Sequence, residues 1–283
     1  MGIREEFVEV PGGRLWSATL GRGVPMMLCH GGPGAYDYLQ PVAELVEDLA
    51  EVHRFDQRGG GRSRAGGPWT VAAMLSDMEV LRRFWRHERW LVGGHSWGAH
   101  LALFYALAYP DRVLGLVFLN GTGVRWGWGP ERRMNRMQRL SHEERAEVQR
   151  LDDELIGGDE HAIDRLRELM WLTDFSDRKI AARCARFDRY TIDPAVLGDL
   201  EHDWRLALRD VEPRLSELVV PALVLHGEAD PIGQSGPREF ARLLPRGRFA
   251  LLRGGHIPWL EDPRETSAHL RSFIEHLGPS DVP

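Results

Sequence analysis

Residues 90–98 read Trp-Leu-Val-Gly-Gly-His-Ser-Trp-Gly, and the reading of this stretch decides the fold. An apolar run ends in glycines, a single hydroxyl follows at Ser96, and residues 99–110, AHLALFYALAYP, continue with the composition of a buried helix. Gly94 and Gly98 stand two residues to either side of Ser96. A serine on a sharp strand-to-helix turn has strained backbone angles, and side chains at the flanking positions would crowd the turn. Such a turn lifts the hydroxyl clear of a sheet and leaves it at a helix N-terminus. There the helix dipole and the N–H of Trp97 face any negative charge that develops. Three fixed residues in five are only moderately specific, so the reading depends on the strand before and the helix after.

Working outward, short apolar runs recur at 24–29 (VPMMLC), 51–55 (EVHRF), 89–92, 113–119 (VLGLVFL), 219–225 (VVPALVL) and 249–252. Nearly continuous apolar runs indicate strands buried on both faces, hence a parallel sheet. Helical patterns at 41–50, 70–87 and 97–109 supply crossovers between them. FVEV and LWSATL near the start predict an antiparallel hairpin joined through Pro11-Gly12-Gly13. Residues 123–209 differ: rich in Arg, Asp and Glu, helically spaced and without a clear strand. The expected class is α/β, a mostly parallel central sheet flanked by helices. A helical cap at 123–209 is inserted between core segments 1–122 and 210–283. Trp126, Trp128, Trp171 and Trp204 of that insertion are candidate substrate-binding residues, or simply aromatics packed on the core.

The 283 residues carry 36 basic and 42 acidic side chains, a net charge of -6, which argues against general nucleic-acid affinity. Lys179 is the only lysine. Cys29 and Cys184 are far apart and suggest no disulfide framework. The N-terminus MGIREEFVEVPGG does not read as a signal peptide, and no run reaches the roughly 18 apolar residues of a membrane span. A cytoplasmic protein with no membrane partner is expected.

A weak hydroxyl nucleophile needs a base, and the base needs an orienting acid. The order Ser, then acid, then His follows from the turn motif. HGEADP at 226–231 follows one predicted strand, and GGH at 254–256 follows another. Both stand beyond strand carboxyl ends, where ligands bind in open parallel sheets. Ser96 is therefore the candidate nucleophile, His256 the acid-base and Asp230 its orienter, with Glu228 the rival acid. Glu261 and Asp262 are expected to brace the turn after His256 or cap the next helix. One oxyanion donor is the N–H of Trp97. The second is expected from HGGPG at 30–34, with Gly31 the first choice and Gly32 the runner-up.

Taken together, HGGPG at 30–34, DQRGGGRS at 56–63, GGHSWG at 93–98, HGEADP at 226–231 and GGHIPWLEDP at 254–263 resemble the α/β-hydrolases of the proline iminopeptidase type. The resemblance covers roughly 1–122 and 210–283. It implies a serine hydrolase without cofactor or metal, a helical cap between the sixth and seventh strands, and an oxyanion hole from Gly31 and Trp97. It also implies a buttressing loop at Asp56-Gln57-Arg58. Two departures stand out. His95 occupies the position before the serine where many members have glycine; a strand-end histidine bonded to backbone is its commoner role, and His100 reads as a packed or hydrogen-bonded residue. The cap lacks the Trp-Glu pair with which family peptidases hold a substrate ammonium; Asp174, Glu201 and Asp203 are the carboxylates on offer. An aminopeptidase acting on short peptides leads, with a carboxylesterase or lactonase on small apolar esters as the alternative. An epoxide hydrolase or dehalogenase would need Asp where Ser96 stands. A non-catalytic receptor keeping the pocket is the reading from another class.

Overall fold

The computed structural model describes residues 2–125, 127–156, 162–184 and 194–277. Eight strands form one sheet: β1 (Arg4–Val10), β2 (Gly13–Gly21), β3 (Val24–Cys29), β4 (Ala50–Phe55), β5 (Trp90–His95), β6 (Val113–Leu119), β7 (Ala222–Gly227) and β8 (Gly247–Leu252). Their spatial order is β1-β2-β4-β3-β5-β6-β7-β8. β1 and β2 form the hairpin and β2 runs antiparallel to β4, while every other pairing is parallel. The fold is the α/β class expected.

Burial explains why the apolar runs are unbroken. β5, β6 and β7 are buried at every residue, because helices cover both faces of the sheet centre. On one face pack helix Val71–Phe84, started by the Thr70 hydroxyl accepting from the Ala73 N–H, and helix Trp97–Ala108, buried from Trp97 to Leu107. Two predicted elements shift. The strand expected at 219–225 begins at Ala222: Val219 is exposed, and Pro221 has no N–H for the ladder, though its carbonyl accepts from Leu116. The helix expected at 41–50 spans only Gln40–Glu44, since Ala50 already pairs in β4.

Between β6 and β7 the described residues form helices Trp128–Arg139, His142–Ile156, Ala162–Thr173, Arg178–Ala181 and Pro194–Leu208. All the parallel strands point their carboxyl ends to one edge of the sheet. The segments after β3, β5, β6, β7 and β8 therefore emerge together beneath these helices. Among the described residues no helix is long and apolar enough to cross a membrane.

Candidate active site

Ser96 joins β5 to its helix with φ 55° and ψ −118°, a conformation that costs a non-glycine residue about 1–3 kcal/mol. Its N–H donates to Leu119 O at the end of β6 (2.9 Å), tying the turn to the neighbouring strand. Gly94 and Gly98 are required by close approach. A Cβ on Gly94 would overlap the carbonyl of Gly98, and a Cβ on Gly98 would overlap those of Cys29 and His30. The helix start is thus pressed against the loop that follows β3.

His256 follows β8, and its Nδ1 lies 2.7 Å from Asp230 Oδ2 beyond β7. Asp230 is buried and well supplied with donors: Ile232 N–H to Oδ1 (2.8 Å) and Asn120 Nδ2 to Oδ2 (2.7 Å). Burial opposes its charge, but His256, His226 and these hydrogen bonds outweigh that and hold its carboxyl below the ordinary range. Since ionised Asp230 accepts, His256 Nδ1 donates this hydrogen bond, and Nε2 is the ring nitrogen left for another partner. Ser96, Trp97 and His256 line one cavity of about 410 Å³. No hydrogen bond joins Ser96 Oγ to the ring in this state, as is common without substrate. Glu228 is exposed and away from this pair. Glu261 braces the turn, accepting from Gly255, Ser176 and Asp177 N–H groups, and Asp262 caps the helix Pro263–Glu275.

The two candidates for the second oxyanion donor differ in their partners. The Gly31 N–H donates to Tyr38 Oη at 2.8 Å, so the first-choice donor is already committed. Gly32, at φ 62°, also lines the cavity, and no hydrogen bond engages its N–H among the described residues. Tyr38 Oη in turn donates to His95 Nδ1 (2.6 Å), and His95 Nε2–H donates to the His256 carbonyl (2.9 Å). This relay links the loop after β3 to the loop carrying His256. His95 lines the cavity as well, and burial, reinforced by nearby His256, drives its pKa well down, keeping it neutral. Gln57 completes the frame: its Nε2 donates to His30 O (2.8 Å), and its Oε1 accepts from Trp97 Nε1 (2.7 Å). Arg58 makes a two-pronged pair with buried Asp77 (2.7 and 2.6 Å), and Asp56 holds Arg62 in the same way. His100 accepts from the Thr122 N–H at Nε2 (3.2 Å).

Trp128, Trp171 and Trp204 line the cavity, with Trp204 set edge-on to Trp97 at 5.1 Å; Trp126 lies outside the described residues. Of the carboxylates, Asp174 lines the cavity, but its Oδ1 pairs with Arg136 (2.5 Å), and its backbone carbonyl accepts the His256 N–H (2.6 Å). Glu201 lines it too and stands 3.7 Å from Arg205. Asp203 accepts from the Val71 N–H (2.6 Å). Sequence reasoning missed Asn120, Tyr38 and the arginines 132, 136 and 139. Only the spacing of those arginines at 132, 136 and 139, one face of a helix, was legible. Among the described residues one group could share a metal ion, Glu51, His53 and His87, outside the cavity; its two ring Nε2 atoms are hydrogen-bonded to each other at 2.8 Å.

The sequence matches the α/β hydrolase fold family over residues 24–263. It is 24% identical to a proline iminopeptidase of Heyndrickxia coagulans, across 96% of this chain and 99% of that one. The fold resembles that of a Mycobacterium smegmatis proline iminopeptidase (TM-score 0.71, 21% identity, 97% and 98% of the two chains). It equally resembles an enol-lactonase of Burkholderia xenovorans LB400 (TM-score 0.72, 19% identity, 96% and 100%). The strand order, the strained serine turn and the family match together make the chain a member of the α/β hydrolase fold family.

Proposed function

We propose that this hydrolase acts through a Ser-His-Asp triad and an acyl-enzyme on Ser96, beneath a cap formed by residues 123–209 on a core of 1–122 and 210–283. The carrying observation is Ser96 at φ 55°, sharing a cavity with His256, whose Nδ1 is held by buried Asp230. Ser96 Oγ attacks the substrate carbonyl while His256 Nε2 takes its proton, and Asp230 stabilises the imidazolium. The tetrahedral oxyanion accepts from the N–H groups of Trp97 and Gly32. His256 passes the proton to the departing alcohol or amine. Water, activated by the same ring, then releases the acid.

For the leaving group, charge on the cavity wall favours an ester or lactone over a peptide with a free N-terminus. An ammonium site needs an available carboxylate, yet Asp174 is tied to Arg136 and Asp203 to backbone, which leaves Glu201 facing Arg205. The tryptophan-rich wall suits an apolar acyl group. The aminopeptidase reading draws its support from the likeness to the Heyndrickxia coagulans enzyme along the whole chain. The test compares proline 4-nitroanilide with 4-nitrophenyl butyrate, using wild type and Ser96→Ala. Butyrate turnover lost in the variant, without anilide cleavage, is expected. Anilide cleavage lost in the variant would transfer the assignment to aminopeptidase. Turnover surviving in Ser96→Ala would sink the triad.

A further inference from the structure

Helix Trp128–Arg139 presents Arg132, Arg136 and Arg139 at i, i+4 and i+7, so all three lie on one face. Two of them have hydrogen-bond partners, although the Nε of Arg136 is buried without one. Arg136 pairs with Asp174, and Arg139 donates to the carbonyls of Thr173 (2.6 Å) and Ala229. Arg132 is different. It lines the same cavity as Ser96, and among the described residues it has no hydrogen-bond or ion-pair partner. Its Nε is buried with nothing to donate to among the described residues, and the Trp128 ring lies 5.6 Å from the guanidinium carbon.

This arrangement is costly in the empty protein. A guanidinium has five N–H donors and cannot lose its charge at ordinary pH, so an Arg132 Nε buried without an acceptor is a standing penalty. The neighbours supply no hydrogen bond: among the described residues Asp174 and Asp230 are the carboxylates that act on Arg132, and their oxygens are engaged by Arg136 and by His256 and Asn120. Arg136 and burial together push Arg132 down to about 10, burial being the larger effect, which still leaves it fully charged near neutrality. Arg132 is therefore the one arginine of the three without a hydrogen-bonded partner among the described residues, and it sits on the cavity wall.

We propose that Arg132 is the anchor for a free carboxylate on the substrate, so that the natural substrate is an ester or lactone that also carries an acid group. Arginine suits this role because its planar fork matches a carboxylate in two parallel hydrogen bonds. The wall of Trp128, Trp171 and Trp204 would hold the apolar span between that carboxylate and the carbonyl attacked by Ser96. This inference rests on the serine-hydrolase reading for the identity of the reacting bond, but the anion site itself does not.

The test uses matched esters: 4-nitrophenyl hexanoate, 4-nitrophenyl hydrogen adipate and 4-carboxyphenyl hexanoate. The second and third place the carboxylate on the acyl and the leaving side respectively. Each is assayed with wild type, Arg132→Met and Arg132→Lys, alongside calorimetric titration with adipate. Arg132→Met is expected to lower kcat/KM about tenfold to a hundredfold on at least one carboxylate-bearing ester and less than about threefold on hexanoate. Arg132→Lys should retain part of the preference, and adipate should bind wild type at least about tenfold more tightly than Arg132→Met. Removing a half-buried charge whose Nε has no acceptor should leave Tm unchanged or raised, which an Arg with a purely structural role would not do. An equal loss on all three esters, or no loss on either acid, overturns the proposal, as does adipate binding that ignores the substitution. If no ester is turned over, the ester-hydrolase reading fails, and adipate binding alone decides the role of Arg132.

Discussion

Asn120 shows how much of the site depends on a residue that does no chemistry. It follows β6 with φ 49°, a left-handed conformation, and its side-chain amide bridges Asp230 Oδ2 (2.7 Å) and Gly255 O (3.2 Å). One side chain thus fixes both the acid and the loop that carries His256. Asn120→Ala should lose that bridge and incur the left-handed penalty, lowering both kcat and Tm. Asn120→Gly accepts the backbone without strain and should regain stability but not rate. Rates that recover with glycine would mean that Asn120 serves the turn and not Asp230. At the acid itself, Asp230→Asn should lower kcat by about 10⁴. Glu228→Gln should leave it near wild type, because Glu228 points to solvent. A greater loss at Glu228, read from the same steady-state assay, would reassign the acid.

At the scale of elements, the segment 56–63 after β4 separates support from catalysis. Arg58 and Asp77 form a buried pair between this loop and helix Val71–Phe84, with side chains 3% and 1% exposed. Gln57, one residue earlier, touches both His30 and Trp97. Asp77→Ala leaves a buried guanidinium uncompensated and should cost about 3–5 kcal/mol in urea unfolding, with kcat of the folded fraction retained. Gln57→Ala frees a carbonyl and an indole N–H at the turn itself and should lower kcat as well as stability. If both variants changed only stability, the loop would be a scaffold without influence on the helix N-terminus. Much of this was legible in the sequence. Strands with continuous apolar runs could be read because doubly covered strands admit little else, and the Ser96 turn because glycine spacing reports a backbone collision. The position of Gly31 relative to Tyr38 was not legible. A choice between adjacent N–H groups depends on which of them a distant hydroxyl reaches first. Asn120 with Asp230, 110 residues apart, and Arg132 with its missing counterion are likewise products of tertiary approach that no local pattern encodes.

Over the whole molecule, acid should be the condition that unfolds this chain, and histidines set where the loss begins. His53 and His100 are 1% and 0% exposed, and burial pushes both down to about 3. In the unfolded chain each would take a proton near 6.5. Between those values the unfolded state holds the extra proton, so stability rises with pH and falls on acidification, by roughly 1.4 kcal/mol per pH unit for each ring. Of the carboxylates, Glu79 acts lower. Held by hydrogen bonds from Arg82 and then Tyr105 against burial, it is brought down to about 2, so its contribution is present above about 4.5 and lost only as pH falls toward 2. The window from 6.5 to 4.5 therefore belongs to the buried histidines. His100 isolates one of them, since its Nε2 accepts from the Thr122 N–H and its Nδ1 has no partner among the described residues. His100→Gln keeps an acceptor and removes the titration. Urea midpoints and slopes at pH 7, 6 and 5 should show the pH dependence of unfolding free energy reduced by about 1.4 kcal/mol per unit in the variant, whatever its stability at pH 7. An unchanged dependence would mean that this ring takes its proton inside the fold, which would require a counterion or water beside Nδ1.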